Sequence, residues 1–464
     1  MNSRMLLPLL SLSLFACTDI KRGEEIVGSV GFEDIELEQS TVVPTVFAVR
    51  WQTTEPVESF VRFGEVGGAM IFETPVLDVA SEHEGIMVGV PEVSEGWFEL
   101  VGVKDGVEST SSRYEFSTGQ LSADIPRPRT VLGDSSRATP GLILAPIALD
   151  MKRWTTLMDH HGRMVWAWGG DHLDTQRARM TQDGKGVIMM DRIQNSKDIE
   201  LVRVDFFGDE VWRITLADSH HDFALITDES FLVMGYDVRE AQLSSGPRLI
   251  MGDQIFQYGL DGSRSTLWSV WDHVEVDEAS LGGESMEVPG SLGWSHGNYL
   301  YLDRDKDQVL TTMRDINMAF AIDRQNGEVL WSMGGQQGEF QAPNPTPILK
   351  YPHSVWPTET GFTVFNQGII QESDCSWAAH IELDEATLSA KETWSYSSPT
   401  CYQTYYLGNA QPLIEDRTLV SFGKVGVLDE ISTGTGETIV RHSLDIPAEF
   451  LYVEHIGGVY PANP

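Results

Sequence analysis

The sequence predicts an all-β protein, a six-bladed β-propeller preceded by a β-sandwich. A turn followed by a strand that ends in tryptophan recurs from residue 159 onward, and helical periodicity is scarce. Three histidines, His221, His296 and His353, each stand shortly before a short apolar strand, in the same relation to this repeat. Since equivalent positions of successive blades face one central channel, we expect the three histidines to converge on a single pocket.

The composition suits this fold and excludes nucleic acid as a partner. The 464 residues are 41% apolar, enough for a substantial core, and the 13 Trp and 43 Gly suit many short strands with tight turns. The 69 acidic and 32 basic residues give a net charge of -37, which repels phosphate backbones. This excess indicates solubility or a salty habitat. Acid-lined calcium sites are the alternative, but the chain has no Asp-x-Asp-x-Asp-Gly loop.

Residues 1–17 have the pattern of an export signal. Arg4 supplies a positive charge, an apolar run follows at 6–15, and Leu-Phe-Ala-Cys at 14–17 resembles a bacterial lipoprotein cleavage site with Cys17 as the lipidated residue. A plain signal peptide is the alternative. No later apolar run approaches the ~20 residues that span a bilayer, so the expected membrane anchor is a lipid. The predicted location is the periplasmic side of the cell envelope or the cell surface, with residues 18–29 as a polar tether.

The two other cysteines are Cys375 and Cys401. In an oxidising compartment they can pair as a disulfide, and burial as two inert thiols is the alternative.

Residues 30–120 predict the β-sandwich, with about seven short strands. Segments 46–51, 60–63 and 97–103 alternate apolar and polar residues, and 113–119 closes the block. The block resembles a fibronectin type III module, with Trp51 as its core tryptophan. Such modules serve as spacers or docking surfaces, and nothing in this one carries chemistry.

A proline-rich stretch at 125–129 marks the linker, and the propeller is expected over 130–464. The turn-and-tryptophan hairpin occurs in six copies, of which the last two are degenerate: 159–166, 205–212, 260–268, 323–331, 384–394 and 433–440. Turn residues separate two strands, and the tryptophan is expected to wedge between neighbouring sheets. Six copies therefore predict six blades of four strands.

The residues around the three histidines suit a transferred group with three equatorial oxygens. His296 and Asn298 stand one hairpin before Arg314, so all three can face the same channel. Guanidinium and amide donors would hold the oxygens of a sulfuryl or phosphoryl group while a neutral imidazole attacks the central atom. A single inner-strand histidine is more often structural, but three in register beside Arg314 favour a function. Three histidines could also bind zinc, although a guanidinium would repel the ion, so no metal is expected.

Over residues 130–450 the chain resembles the bacterial arylsulfate sulfotransferases, six-bladed propellers that move sulfate between phenols without a nucleotide sulfate donor. The matching segments are 220–223 (His-His-Asp-Phe), 294–298 (Trp-Ser-His-Gly-Asn), 313–317 (Met-Arg-Asp-Ile-Asn), 322–335, 352–356 (Pro-His-Ser-Val-Trp), 365–368 and 407–413. Segment 365–368 reads Phe-Asn-Gln-Gly where the family more usually has Phe-Asp-Asn-Gly, which bears on substrate choice more than on the reaction.

The resemblance implies a role for each site residue. His353 would be transiently sulfurylated, and a set of residues would hold the sulfuryl oxygens: His296, Asn298, Arg314 and a histidine of the first motif. Of the two histidines in that motif we favour His221 as catalytic, because Asp222 follows it directly, with His220 and Asn317 as further substrate-binding residues.

The expected partners are small-molecule aryl sulfates and phenols, with no cofactor, and the oligomeric state is not predicted. A catalytically silent surface propeller that binds a ligand or a protein partner is the alternative. A quinone-dependent dehydrogenase propeller would require a bound calcium and a cofactor-stacking tryptophan, and the sequence has no recognisable motif for either.

Overall fold

The computed structural model describes residues 21–22, 28–170, 175–193, 196–342, 348–369, 372–414 and 416–460. The predicted export signal and its Cys17 lie outside these residues. The described part of the chain consists of strands and loops with four short 3-10 turns: Ser135–Arg137, Val270–Asp272, Glu278–Ser280 and Gly423–Val425. Within it, no helix is long and apolar enough to cross a membrane.

Eight strands form the front module, joined by hydrogen bonds into one sheet with the order β1-β8-β6-β3-β2. They are β1 (Lys21–Arg22), β2 (Phe32–Gln39), β3 (Phe47–Glu65), β4 (Ile71–Glu73), β5 (Leu77–Met87), β6 (Glu95–Lys104), β7 (Val107–Thr110) and β8 (Tyr114–Ser117). The segments at 46–51 and 60–63, predicted as separate strands, are parts of the single strand β3. Its first half pairs with β2 and β5 and its second half with β4 and β6, so β3 connects the two halves of the module.

Trp51 lies in the core of this module, as predicted. Its Nε1 donates to the Ser59 hydroxyl at 3.1 Å. The likeness to a fibronectin type III module stays a prediction.

Strand β9 (Pro128–Gly133) leads into six sheets, which are the six predicted blades. Blade 1 contains β10 (Leu142–Leu144), β11 (Ile147–Leu149), β12 (Lys152–Asp159) and β13 (Met164–Gly170). Blade 2 contains β14 (Thr175–Met180), β15 (Gly186–Arg192), β16 (Ile199–Asp205) and β17 (Glu210–Leu216). Blade 3 contains β18 (Ser219–Thr227), β19 (Ser230–Leu243), β20 (Gly246–Gly259) and β21 (Arg264–Ser269), with β22 (Ser291–Gly293) parallel to β20.

The remaining blades have the same antiparallel order. Blade 4 contains β23 (Gly297–Asp303), β24 (Gln308–Met313), β25 (Met318–Asp323) and β26 (Val329–Gly334). Blade 5 contains β27 (Pro352–Pro357), β28 (Gly361–Asn366), β29 (Trp377–Asp384) and β30 (Ser389–Ser397). Blade 6 contains β31 (Asn409–Pro412), β32 (Arg417–Phe422), β33 (Val427–Ser432) and β34 (Thr438–Leu444).

Both ends of the propeller segment close the ring. Strand β9 pairs with β34 as the outermost strand of blade 6. The last two strands, β35 (Glu449–Phe450) and β36 (Glu454–Ile456), pair with β11 and β10 as the innermost strand of blade 1. The first strand of the segment therefore completes the last blade, and the last two strands complete the first blade. This exchange leaves no open gap in the ring.

Each predicted tryptophan hairpin is the outer hairpin of one blade, and the tryptophans pack between blades as expected. Four of them contact an aromatic ring of the following blade. The pairs and their centroid distances are Trp166–Phe206 (6.2 Å), Trp212–Phe231 (5.8 Å), Trp268–Phe320 (5.2 Å) and Trp331–Phe362 (5.3 Å). These contacts hold neighbouring sheets at a fixed separation and so fix the inner strands around the channel.

The front module packs on blades 1 and 2, and one hydrophobic core runs through both. Arg163 of blade 1 contacts Glu65 of the module at 2.7 Å, and the Ser40 hydroxyl donates to the carbonyl of Phe207 at 2.7 Å. The histidines of interest belong to blades 3, 4 and 5.

Candidate active site

The predicted site residues meet at one end of the channel. His220 and His221 lie near the start of β18, Asn298 and His353 near the starts of β23 and β27, and His296 directly precedes β23. Arg314 lies in the turn between β24 and β25. The pairing of Gly297 with Met313 puts this turn beside the start of β23, and the backbone N–H of Arg314 donates to the carbonyl of His296 at 3.0 Å.

A break in the strand pairing recurs at this point in three blades. The register shifts between Ser219 and Phe223, between Gly297 and Tyr299, and between Pro352 and Ser354. The backbone is left-handed at His221 (φ 55°), His296 (φ 54°) and Tyr351 (φ 51°). Such bulges redirect side chains, and left-handed residues other than glycine concentrate at functional sites.

His353 is held by the neighbouring blade. Its Nδ1 lies 2.9 Å from the carbonyl oxygen of Gly408, and its ring stacks on Tyr452 with centroids 5.4 Å apart. Burial lowers the pKa of His353 to about 3; the contact with Gly408 opposes this shift, and the charges of Arg314 and Arg177 add to it. The imidazole is therefore neutral at any ordinary pH.

His296 and His221 contact each other in the site. Their rings meet edge to face with centroids 4.8 Å apart. Burial, followed by the charge of Arg314, lowers the pKa of His296 to about 3. Burial and the nearby His296 lower the pKa of His221 well below its ordinary value. Within the described residues, no group of three or more histidine, cysteine or acidic side chains is placed to hold a metal ion.

Arg314 is the partly exposed cation of the site. Its Nε donates to Asp315 Oδ1 at 2.6 Å, which fixes the plane of the guanidinium, and 23% of the side chain is exposed. The Nη atoms have no hydrogen-bond acceptor among the described residues. The terminal edge of the guanidinium is thus open to an anionic group.

A groove of about 770 Å³ adjoins the site, and Arg314 forms part of its wall. Apolar and amide side chains make up much of the rest: Trp294, Ile316, Leu349, Tyr351, Gln336 and Gln337. Its volume is in the range of cavities that take small organic ligands. Asn317, predicted to bind substrate, also lines this groove, but its Oδ1 accepts from the backbone N–H of Tyr351 at 2.7 Å and so supports the loop.

Asn298 lies within the channel wall. The side chain is buried, with Nδ2 3.5 Å from the carbonyl of Pro352, directly before His353. The Tyr452 hydroxyl donates to the Asn298 carbonyl at 2.8 Å. The amide is therefore next to the backbone of the residue that precedes His353.

His220 and His221 lie in different surroundings. His221 is partly exposed and faces His296, whereas His220 is buried behind it with its ring stacked on Tyr236 at 4.1 Å. Asp222, the reason for favouring His221, turns away from the histidines. Its carboxylate contacts Arg177 at 3.1 Å and accepts from the backbone N–H of Leu300 at 2.9 Å.

Two residues of the site were missed by the sequence analysis. Asp253 on β20 has Oδ1 3.0 Å from Nε2 of His220. Arg177 on β14 is fully buried, with its guanidinium 5.0 Å from the ring of Tyr299 and 4.9 Å from that of Tyr452. Neither stands in a repeated motif, so no sequence signal marks either one.

The fold and the site together define a β-propeller whose channel mouth combines neutral imidazoles with one open guanidinium. The model of the arylsulfotransferase (ASST) family matches residues 130–452, which covers the propeller. The chain belongs to this arylsulfotransferase family. Membership supports aryl sulfotransferase activity and implies aryl sulfates and phenols as substrates.

The similarity to solved structures is low. A 6-phosphogluconolactonase candidate from Bacteroides fragilis NCTC 9343 is 9% identical, with a TM-score of 0.41, and the match covers 70% of this chain and 100% of that chain. Hsv2 of Kluyveromyces lactis is 11% identical, with a TM-score of 0.33, and the match covers 71% and 99%. No curated protein matches the chain.

Proposed function

We propose that the protein transfers a sulfuryl group from an aryl sulfate to a phenol, without a nucleotide donor, through a covalent intermediate on His353. The observation that carries this proposal is the contact of His353 Nδ1 with the Gly408 carbonyl. A carbonyl oxygen only accepts hydrogen bonds, so Nδ1 carries the proton and Nε2 keeps its lone pair. A neutral, oriented imidazole nucleophile divides one transfer into two easier steps.

The residues that would bind the sulfuryl oxygens belong to the same site as His353. The open edge of Arg314 would hold two sulfuryl oxygens, as a planar guanidinium does with oxyanions. His296 and the amide of Asn298 would donate to the third. These groups stabilise the transition state because they are already oriented before the bonds to sulfur are exchanged.

In the first step, Nε2 of His353 attacks sulfur, and the bond from sulfur to the aryl oxygen breaks. In the second, the oxygen of an acceptor phenol attacks the same sulfur, and the bond from nitrogen to sulfur breaks. His353 then has its lone pair again. The aryl portion of either substrate would occupy the groove beside Arg314.

We also propose that the protein is exported and lipid-anchored through Cys17. The bond between Cys375 and Cys401, whose Cα atoms are 4.9 Å apart, supports an oxidising compartment. Metabolic labelling with a fatty-acid probe tests the anchor: label is expected on the parent chain and lost in Cys17→Ser. Label that persists in Cys17→Ser contradicts it.

The activity is tested by incubating the purified protein with a chromogenic aryl sulfate and a phenol, followed by product analysis. We expect the sulfated acceptor and the released phenol in equal amounts. Release of free sulfate instead would indicate hydrolysis, and no reaction with any aryl sulfate would favour the silent propeller.

A further inference from the structure

Two adjacent histidines and a buried carboxylate form a continuous line that ends at the site. Nδ1 of His220 lies 2.7 Å from Nδ1 of His221. On its other side, Nε2 of His220 lies 3.0 Å from Oδ1 of Asp253. The ring of His221 in turn contacts that of His296. The transfer proposed above uses neither Asp253 nor His220.

Asp253 and His220, the inner part of this line, are shielded from solvent. Asp253 is 3% exposed and His220 is 5% exposed. The Ser295 hydroxyl donates to Asp253 Oδ2, and Tyr236 covers one face of His220. Burial opposes ionisation of Asp253, but its contacts with His220 and Ser295 outweigh this and hold its pKa below the ordinary value. Asp253 is therefore a carboxylate.

The charge on Asp253 fixes the protons along the line. Asp253 lies 3.0 Å from Nε2 of His220 in an ion contact without hydrogen-bond geometry, and because a carboxylate only accepts, it favours the tautomer with a proton on Nε2. When His220 is neutral, its Nδ1 must accept the proton that Nδ1 of His221 donates across 2.7 Å. His221 then keeps a lone pair on Nε2. This is the only ring nitrogen of the two histidines that contacts neither the other histidine nor Asp253.

We propose that His221, His220 and Asp253 form a proton relay for the sulfuryl transfer. His221 Nε2 exchanges a proton with the phenolic oxygen of the substrate, and the pair of His220 and Asp253 stores that proton from the second step of one cycle to the first step of the next. This proposal depends on the proposed function. His221 is a catalytic residue here, and His220 and Asp253 are positioning residues.

The protons balance over the cycle. The cycle starts with the stored proton on His220 Nδ1, so that His221 carries its own proton on Nε2. In the first step, the leaving phenolate takes the proton from His221 Nε2 while His220 Nδ1 passes its stored proton to His221 Nδ1. In the second step, the acceptor phenol gives its proton to His221 Nε2, and His221 Nδ1 returns one to His220. One phenol is made, one is consumed, and both histidines regain their first state.

The surroundings explain why the proton is stored one residue back from the substrate. His221 lies near His296 and Arg314, and burial with these neighbours disfavours a charge on it. His220 lies against the carboxylate of Asp253. A proton stored on His220 is therefore in direct contact with a carboxylate.

The relay predicts a dependence on the leaving group. We would measure phenol release in the first turnover of the full chain with 4-nitrophenyl sulfate and with phenyl sulfate. Nitrophenolate leaves without a proton, whereas phenolate, a stronger base, benefits from one. General acid catalysis contributes about a hundredfold or more. We expect Asp253→Asn to slow the release of phenol from phenyl sulfate about a hundredfold, and the release of nitrophenol from 4-nitrophenyl sulfate about tenfold or less.

A second variant and a control complete the experiment. His220→Asn keeps a polar partner for His221 but cannot carry the proton, and should show the same selective loss. Asp237→Asn removes a carboxylate on the adjacent strand that contacts Arg239 and Ser269, and should leave the ratio of the two donor rates as in the parent.

The outcomes separate the relay from the transfer itself. If Asp253→Asn and His220→Asn leave the ratio of the two donor rates as in the parent, the relay is overturned while the transfer stays intact. Absence of any phenol burst in the parent, even with 4-nitrophenyl sulfate, would overturn the proposed function and the relay with it.

Discussion

The imidazole of His353 in blade 5 is oriented by the carbonyl of Gly408, the residue that precedes the inner strand of blade 6, across 2.9 Å. The two residues stand far apart in sequence and meet because inner strands of adjacent blades run side by side. The contact decides which ring nitrogen is free to react. Gly408 also has a left-handed backbone, with φ 111°.

Replacing Gly408 should therefore damage the reaction without touching the histidine. A Cβ at Gly408 would lie 2.2 Å from the ring of Phe365, so Gly408→Ala must move the loop and its carbonyl. Since a misplacement of about 1 Å can cost a hundredfold, we expect turnover to fall by about that factor. Gly246→Ala is the matched control, because Gly246 has φ 109° and open space around it. Equal activity of the two variants would contradict the assigned role of the carbonyl.

Arg314→Lys tests the oxyanion clamp. Lysine keeps the charge but not the planar pair of donors, so we expect at least about a hundredfold loss of turnover and little change in the melting temperature. Arg324 forms an ion pair with Asp307 outside the site, so the control variant Arg324→Lys should keep full activity. Rate and thermal melting are measured together on each. An Arg314→Lys variant as active as the parent would exclude the clamp.

The buried histidines predict a specific response to acid. The pKa of His353 is lowered from 6.5 to about 3, so below pH 6.5 the unfolded chain binds a proton that the folded chain does not. Stability should fall progressively from pH 6.5 towards pH 3, and His353 should stay neutral over that range. Urea unfolding at several pH values should give a shallower pH dependence for His353→Gln than for the parent. Identical slopes would show that His353 titrates normally.

The disulfide should stabilise blade 5 and support the loop before Gly408. Ser376, next to Cys375, donates to the carbonyl of Gln367 at 2.7 Å, and the Gln367 amide donates to the carbonyl of Leu407 at 3.3 Å. We expect the double replacement Cys375→Ser with Cys401→Ser to lower the free energy of unfolding by about 2–4 kcal/mol. Urea titration of the two proteins measures this. A double variant as stable as the parent would mean that the bond adds nothing to the folded blade.

The repeat made the fold predictable. A tryptophan hairpin has the same sequence pattern wherever it occurs, so even the degenerate copy at 433–440 identified blade 6. The ring closure by β9, β35 and β36 was not predicted, because it pairs chain segments with no shared motif. The long strand β3 was predicted as two, because its polar middle interrupts the apolar alternation while its backbone stays extended.

The site was predictable only as far as the repeat extends. His221, His296 and His353 stand at equivalent points of three blades, and their convergence follows from that. Which of His220 and His221 faces the channel depends on the left-handed backbone at His221, which breaks the alternation of a regular strand. Asp253 reaches His220 from another strand of blade 3, and long-range pairing of this kind leaves no local pattern.

The most direct test of the account is to trap the intermediate. The protein is mixed with excess 4-nitrophenyl sulfate in the absence of any acceptor, and the released nitrophenol is counted before the chain is digested and mapped by mass spectrometry under conditions that preserve sulfohistidine. The account predicts one nitrophenol per protein molecule and a sulfuryl group on the peptide at His353, with neither in His353→Ala. A burst with the label on another residue, or undiminished turnover in His353→Ala, would contradict it.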